Sequence, residues 1–189
     1  MFYKFIQNFL SKEECDFIIS YGEDNGLQQM KSSKILNGVV MEEDIEYNGN
    51  KRMGGYFIGD VLSDSRIKNI SDKILSISNE LNPFNGVTYT SIQKYSFNRY
   101  SDGDFLDWHE DKHEIINGAT TTLIIQLNDN YEGGLVKYNI NKVEYSVPKE
   151  MGSVFMFDSN ITHSVDTIES GLRYSLNVWP SSIKKVSLI

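Results

Sequence analysis

Only one cysteine, Cys15, is present, so no disulfide can close within the chain. A reducing, cytoplasmic setting is therefore the expectation. Prolines number three in 189 residues, and no repeat or low-complexity linker interrupts them, which fits a single domain. No apolar run approaches the ~20 residues that a membrane-spanning helix needs. The opening "MFYKFIQNFLSKEE" has too short an apolar stretch for a secretory signal and leads straight into a helix start. No run of Lys or Arg occurs, and 26 acidic residues against 18 basic ones give a net charge of -8. That balance argues against a nucleic-acid backbone or an anionic membrane as partner. Histidines are just as scarce: His109, His113 and His163 are all there are.

What is present divides the chain in two. The first third reads as helical with loops. Ser11-Lys12-Glu13-Glu14 is a capping box, and Cys15, Ile18, Ile19 and Gly22 follow on one face, so a helix is expected over about 12 to 22. Cys15 then falls in the core. Ile67, Ile70, Ile74, Ile77 and Leu81 recur at helical spacing after a cap at Ser63 or Asp64, and Asn82-Pro83 stops that second helix. Residues 28 to 55 are polar and rich in Gly and Asn, with strand-like pieces such as Lys34 to Val40; this segment is a candidate lid or a surface excursion. From Val87 onward the runs are short, β-branched and aromatic, and each is bounded by Gly, Pro, Asn or Asp. The expected fold is mainly β with N-terminal helices (α+β), a β-sandwich, jelly roll or barrel over 86 to 182 with residues 1 to 85 packed as helical support on one sheet.

"DWHEDKHE", residues 107 to 114, carries two metal signatures at once. His109, Glu110 and His113 spell H-E-x-x-H, the zinc-peptidase pattern, which requires a helix so that both histidines share a face with the glutamate as base. Residues 104 to 117 have apolar positions in helical step, so the local sequence permits it. His109 and Asp111 spell H-x-D, two members of an iron-binding facial triad. On an extended strand, residues two apart point the same way. A second histidine must then come from another strand, and His163 follows the strand-and-turn run "GSVFMFDSNIT". Arg173 opens "RYSLNVW", where Arg173, Ser175, Asn177 and Trp179 share one face, and its guanidinium can grip a carboxylate with two parallel hydrogen bonds. His113 is then surplus. Glu110 points to the opposite face as a solvated carboxylate, Gly133-Gly134 serves a hairpin with positive φ, and Asp102 and Asp104 belong to a turn.

The ordered blocks resemble the 2-oxoglutarate/Fe(II)-dependent dioxygenases, specifically the prolyl 4-hydroxylase-like branch. "FLSKEECDFII" is similar to that branch's opening helix and "KRMGGYFIGD" to its Arg-containing strand. "YSDGDFLDWHED" fits its Y-x-x-G-x-x-x-x-x-H-x-D pattern, and "LNDNYEGGLVKY", "VPKEMGSVFMFDSNITHSV" and "SGLRYSLNVW" fit its later blocks in order. The resemblance implies a double-stranded β-helix. It implies that His109, Asp111 and His163 bind Fe(II), and that Arg173 binds the far carboxylate of 2-oxoglutarate with help from the Tyr100 hydroxyl. Trp179 would line the pocket near the metal. The reaction implied is hydroxylation of a C–H bond by O2, coupled to decarboxylation of 2-oxoglutarate to succinate and CO2, with ascorbate as a candidate reductant. A peptide or protein substrate is implied, with peptidyl proline as the leading class; a free amino acid or another protein side chain is second. Many members of the branch have lysine where this chain has Arg173, and many have tyrosine where it has Leu106. A zinc peptidase and a non-catalytic jelly-roll binding module remain as different classes.

Overall fold

A computed structural model of the chain describes residues 2–25, 27–29, 32–36, 39–43, 50–57, 64–82, 87–111 and 121–182. In chain order the first third holds β1 (Tyr3–Ile6), α1 (Lys12–Asp24), β2 (Gln28–Gln29), β3 (Ser32–Leu36), β4 (Val39–Glu43), β5 (Asn50–Lys51), β6 (Met53–Phe57) and α2 (Ser65–Glu80). The remainder begins with β7 (Ser91–Tyr100), β8 (Phe105–His109), β9 (Thr121–Gln126), β10 (Glu132–Gly133) and β11 (Val136–Ile140). It ends with β12 (Val143–Ser146), β13 (Val154–Asp158), β14 (Thr162–Val165), β15 (Ile168–Ser170) and β16 (Arg173–Ser181).

Both helices start where their caps require. The Ser11 hydroxyl accepts from the Glu14 amide at 3.2 Å, and the Glu14 carboxylate accepts from the Ser11 amide at 2.9 Å, closing the capping box. Asp64, rather than Ser63, caps α2 by accepting from the Arg66 amide at 2.8 Å. The inner stripes, Cys15 and Ile18 on α1 with Ile70 and Ile74 on α2, bury against Tyr95, Phe97, Leu123, Ile125, Met156, Leu176 and Val178. Cys15 is fully buried, and burial pushes its thiol up to about 12, so it is an inert core residue. Gly22 is needed for close approach: a Cβ there would lie 2.4 Å from the Phe97 ring on β7.

The strands form two main sheets, one in the order β1-β13-β9-β16-β7-β6-β2 and one in the order β12-β11-β14-β8-β5. A second apolar cluster lies between them. It joins Ile124, Phe155 and Phe157 of the larger sheet to Val136, Tyr138, Ile161 and Val165 of the smaller side. Period-two alternation explains the division: Leu123 and Ile125 face the helices, whereas Ile124 faces inward. This is a jelly roll with helices covering the outer face of the larger sheet. Among the described residues no helix is long and apolar enough to cross a membrane.

Two expectations for the first third need correction. The opening residues do not run directly into a helix; β1 pairs antiparallel with β13, because Phe5 packs toward the inner cluster and Ile6 toward the helix side. Lys34 to Val40 is not one strand-like piece, since it falls across β3 and β4, which pair antiparallel with each other. The segment 28 to 55 is no mere excursion either. β5 extends the smaller sheet on β8, and β6 and β2 extend the larger sheet beyond β7. Its residues 30, 31, 37, 38 and 44–49 lie outside the described residues, so the lid expectation is not addressed there.

Candidate metal centre

Backbone pairing alone brings the first two candidate ligands together. β14 runs antiparallel to β8 with His163 directly opposite His109, and the ring centroids are 4.1 Å apart. Asp111 lies just beyond β8, where its amide donates to the Ser159 carbonyl at 3.0 Å. Asp111 and His163 are buried, and the His109 side chain keeps 28% of its surface exposed, so the site opens on one side.

Each ligand is aimed by a second contact. His109 Nδ1 donates to the Asp107 carbonyl at 2.7 Å, and His163 Nδ1 donates to the Ile161 carbonyl at 3.0 Å. A carbonyl oxygen only accepts, so Nδ1 carries the proton and Nε2 keeps its lone pair. The Asp111 Oδ2 atom accepts from the Thr122 hydroxyl at 2.8 Å and from the Trp179 indole N–H at 3.3 Å. Thr122 is itself bonded to the Ser159 hydroxyl at 3.0 Å. These outer contacts fix carboxylate orientation and ring tautomer, as they do around bound metals.

The ligand atoms of His109, Asp111 and His163 all fall within 4.8 Å of one another. His109 Nε2 is 3.6 Å from Asp111 Oδ1, and His163 Nε2 is 3.8 Å from Oδ2. Ligands at ~2.1 Å on adjacent corners of an octahedron would be ~3 Å apart, so a small contraction accommodates one divalent ion. Protonation favours this. Burial first, and then the neighbouring His163, push His109 down to about 4, leaving it neutral at pH 7. Burial works to raise the Asp111 carboxyl, but His163, His109, Thr122 and Trp179 outweigh it and hold it below the usual carboxylate range. Two imidazoles and one carboxylate form the set that binds non-haem iron with coordination positions left open.

Arg173 sits farther along the same wall, at the start of β16. It is 1% exposed. Nη2 donates to Gln126 Oε1 at 3.1 Å and Nη1 to the Ser175 hydroxyl at 3.3 Å, and the guanidinium lies 5.0 Å from the centre of the Tyr100 ring. Among the described residues no carboxylate pairs with it, and its Nε is buried without a partner. A buried cation held only by neutral dipoles is costly until an anion joins it. Tyr100 is buried against this cation, whereas Trp179 stands at the metal end, on Asp111.

The remaining sequence candidates fall as follows. β8 is a strand through His109, so the helix that the zinc-peptidase pattern requires is not formed there, and His113 lies outside the described residues. Glu110 is not a fully solvated carboxylate, since it is half-buried and accepts from the Thr162 hydroxyl at 3.3 Å. Gly133 and Gly134 have φ of +71° and +61°, yet they occupy an irregular β10–β15 pairing rather than a two-residue hairpin turn. Asp102 and Gly103 form the turn, and buried Asp104 closes it by accepting from the Ser101 amide at 2.8 Å. Sequence reasoning missed Thr122, Gln126 and Ser159. The signal available was Thr122 and Gln126 on alternate positions of "TTTLIIQLN", polar residues two apart on either side of Ile124 in an apolar strand.

Comparisons with known proteins agree with this geometry. A curated PKHD-type hydroxylase of Alteromonas mediterranea is 24% identical over 130 residues, which are 64% of this chain and 58% of that protein. The chain thus spans little more than half the length of the curated relative it matches. A Pseudomonas putida prolyl-4-hydroxylase shares the fold with a TM-score of 0.72 at 13% identity, covering 96% of this chain and 93% of that one. The viral collagen prolyl hydroxylase of Paramecium Bursaria Chlorella virus-1 gives 0.70 at 17% identity, covering 97% of each. A Trichoplax adhaerens prolyl hydroxylase, solved with a hypoxia inducible factor peptide fragment, gives 0.70 at 19% identity, covering 95% and 83%. The family profile of the 2OG-Fe(II) oxygenase superfamily matches residues 95–181, the stretch that carries all three clustered ligands and Arg173. That match covers just under half of the chain, which is thus similar to the 2OG-Fe(II) oxygenase superfamily there and shares the fold of the prolyl hydroxylases over nearly its whole length.

Proposed function

We propose that the chain is an Fe(II)- and 2-oxoglutarate-dependent dioxygenase that hydroxylates an unactivated C–H bond, with peptidyl proline as the leading substrate class. His109, Asp111 and His163 would hold Fe(II), which supplies the site for O2 activation coupled to decarboxylation of 2-oxoglutarate. Arg173 would bind the far carboxylate of 2-oxoglutarate, its hydrocarbon stem and head steadied by Tyr100 and Gln126. Trp179 would orient Asp111 and wall the pocket. Ascorbate is the reductant proposed to keep the iron ferrous. The single cysteine and the acidic charge support a reducing, cytoplasmic setting without nucleic-acid partners. Residues 1–189 are taken as one working domain, 1–85 supporting and 86–182 carrying the chemistry.

One observation carries this reading: a buried guanidinium without an anion on the same wall as a His-Asp-His cluster. A dicarboxylate with a 2-keto group can meet both at once. The preference for proline rests on the likeness to prolyl hydroxylases, one of them solved with a peptide fragment. The test is succinate formation from 2-oxoglutarate, with mass spectrometry of proline-containing peptides and free amino acids as substrates. A gain of one oxygen on a prolyl residue supports the full reading. Turnover of 2-oxoglutarate with oxygen going only into free amino acids or other side chains would move the substrate class and keep the chemistry.

A further inference from the structure

Tyr131 lies between β9 and β10 and is buried. Its hydroxyl oxygen accepts from Gln126 Nε2 at 2.9 Å, and the same carboxamide takes Arg173 Nη2 on its Oε1 at 3.1 Å. Gln126 cannot be turned over. A flipped amide would set N–H against the guanidinium, and oxygen against the Asn128 carbonyl that now accepts from Nε2 at 2.6 Å. The phenol therefore accepts from Gln126. Among the described residues nothing accepts the phenol's own proton.

A second unspent donor lies beside it. Arg173 Nε is buried with no partner. Gly134 shows how near the two are, since a Cβ there would lie 3.0 Å from Tyr131 Cε2 and 3.3 Å from Arg173 Cδ. Nε is bonded to that Cδ, and the hydroxyl oxygen is two bonds from that Cε2. Tyr131 and Gly134 also line a cleft with Ile124 and Gln126, so this corner borders open space. Lys149 steadies the ring, its Nζ donating to the Tyr131 carbonyl and lying 4.4 Å from the ring centre. Burial pushes the phenol above its ordinary range despite the pull of Arg173, so it keeps its proton at neutral pH. Buried donors are nearly always paired, and two idle ones side by side call for a group that only accepts. A carboxylate is such a group, with lone pairs enough for both.

We infer that Tyr131 is a cosubstrate-binding residue, its phenolic O–H donating to the same far carboxylate of 2-oxoglutarate that Arg173 grips. This deepens the dioxygenase reading above and rests on it. Gln126 ties phenol and guanidinium into one network, so the pair selects a keto acid whose tail ends in a carboxylate.

The test uses the full chain loaded with Mn(II), which binds such sites without turnover, and calorimetric titration with two ligands. One is 2-oxoglutarate. The other is oxalate, which can chelate the metal but has no tail to reach Arg173. Tyr131→Phe should raise the Kd for 2-oxoglutarate roughly tenfold, the loss of one hydrogen bond to a charged group. Oxalate should bind variant and wild type alike. The apo Tm should change little, because Gln126 Nε2 keeps its bond to the Asn128 carbonyl. Wild-type affinity for 2-oxoglutarate in Tyr131→Phe would overturn the assignment. Equal weakening of both ligands would overturn it too, because the phenol would then support the fold or the metal rather than the tail. Oxalate binding by wild type with no 2-oxoglutarate binding at all would sink the dioxygenase reading itself, and this inference with it.

Discussion

His109 and His163 face each other across the β8–β14 pairing with ring centroids 4.1 Å apart, and each gives its Nδ1 proton to the carbonyl two residues back. One register thus brings two lone pairs to one point. A slip of one residue would turn either ring to the far side of its strand, so the site and the sheet are specified together.

The depressed His109 sets a pH dependence for the metal-free protein. Its value in the fold is about 4, against an ordinary ~6.5 in the unfolded chain. Between those values the unfolded state binds the extra proton, so the linked stability is present above about pH 6.5 and is lost as pH falls through about 4. Apo-protein should show a falling Tm over that window, with His109→Gln showing a shallower fall. An equal slope in both would assign the effect elsewhere.

Thr122→Val should weaken metal binding without unfolding the protein. The side chains are close in size, and the change removes the donor that fixes Asp111 Oδ2 at 2.8 Å. Loss of such an outer contact typically costs about 10–100-fold in metal affinity. Co(II) titration by absorbance measures it, and Thr122→Ser should recover most of the loss.

Arg173→Met separates stability from ligand capture. Removing a buried cation that has no carboxylate partner among the described residues should leave the apo Tm unchanged or raised, while 2-oxoglutarate binding is abolished. A large drop in apo Tm would mean that Gln126, Ser175 and Tyr100 already compensate the charge.

Gly22→Ala tests the helix cover rather than the site. The added Cβ would meet the Phe97 ring at 2.4 Å, forcing α1 away from β7. Overpacking of this kind costs about 1–3 kcal/mol. Urea unfolding should register it as a lower midpoint, with Co(II) affinity retained.

How much of this was legible in the sequence varied with how local the cause was. α1 and α2 were readable because caps and apolar stripes lie within one segment, and the cap fixed the first residue to within one or two. The triad was readable because H-x-D is local and His163 sits at a strand start. β1 was not, because a four-residue strand is held by its pairing with β13 about 150 residues away. Nor were β5 and β6, which gain strand structure by joining β8 and β7. The supports of Asp111 were hidden for the same reason. Thr122 looks like one more β-branched strand residue until the sheet brings it beside Asp111 and Ser159.

The most direct test of the account is anaerobic titration of the apo-protein with Fe(II) and 2-oxoglutarate, watching for the weak visible charge-transfer band of a metal-chelated 2-keto acid. The account predicts a band that requires both additions and disappears in His109→Ala. No band with wild type, together with tight Zn(II) binding that depends on His113, would contradict it.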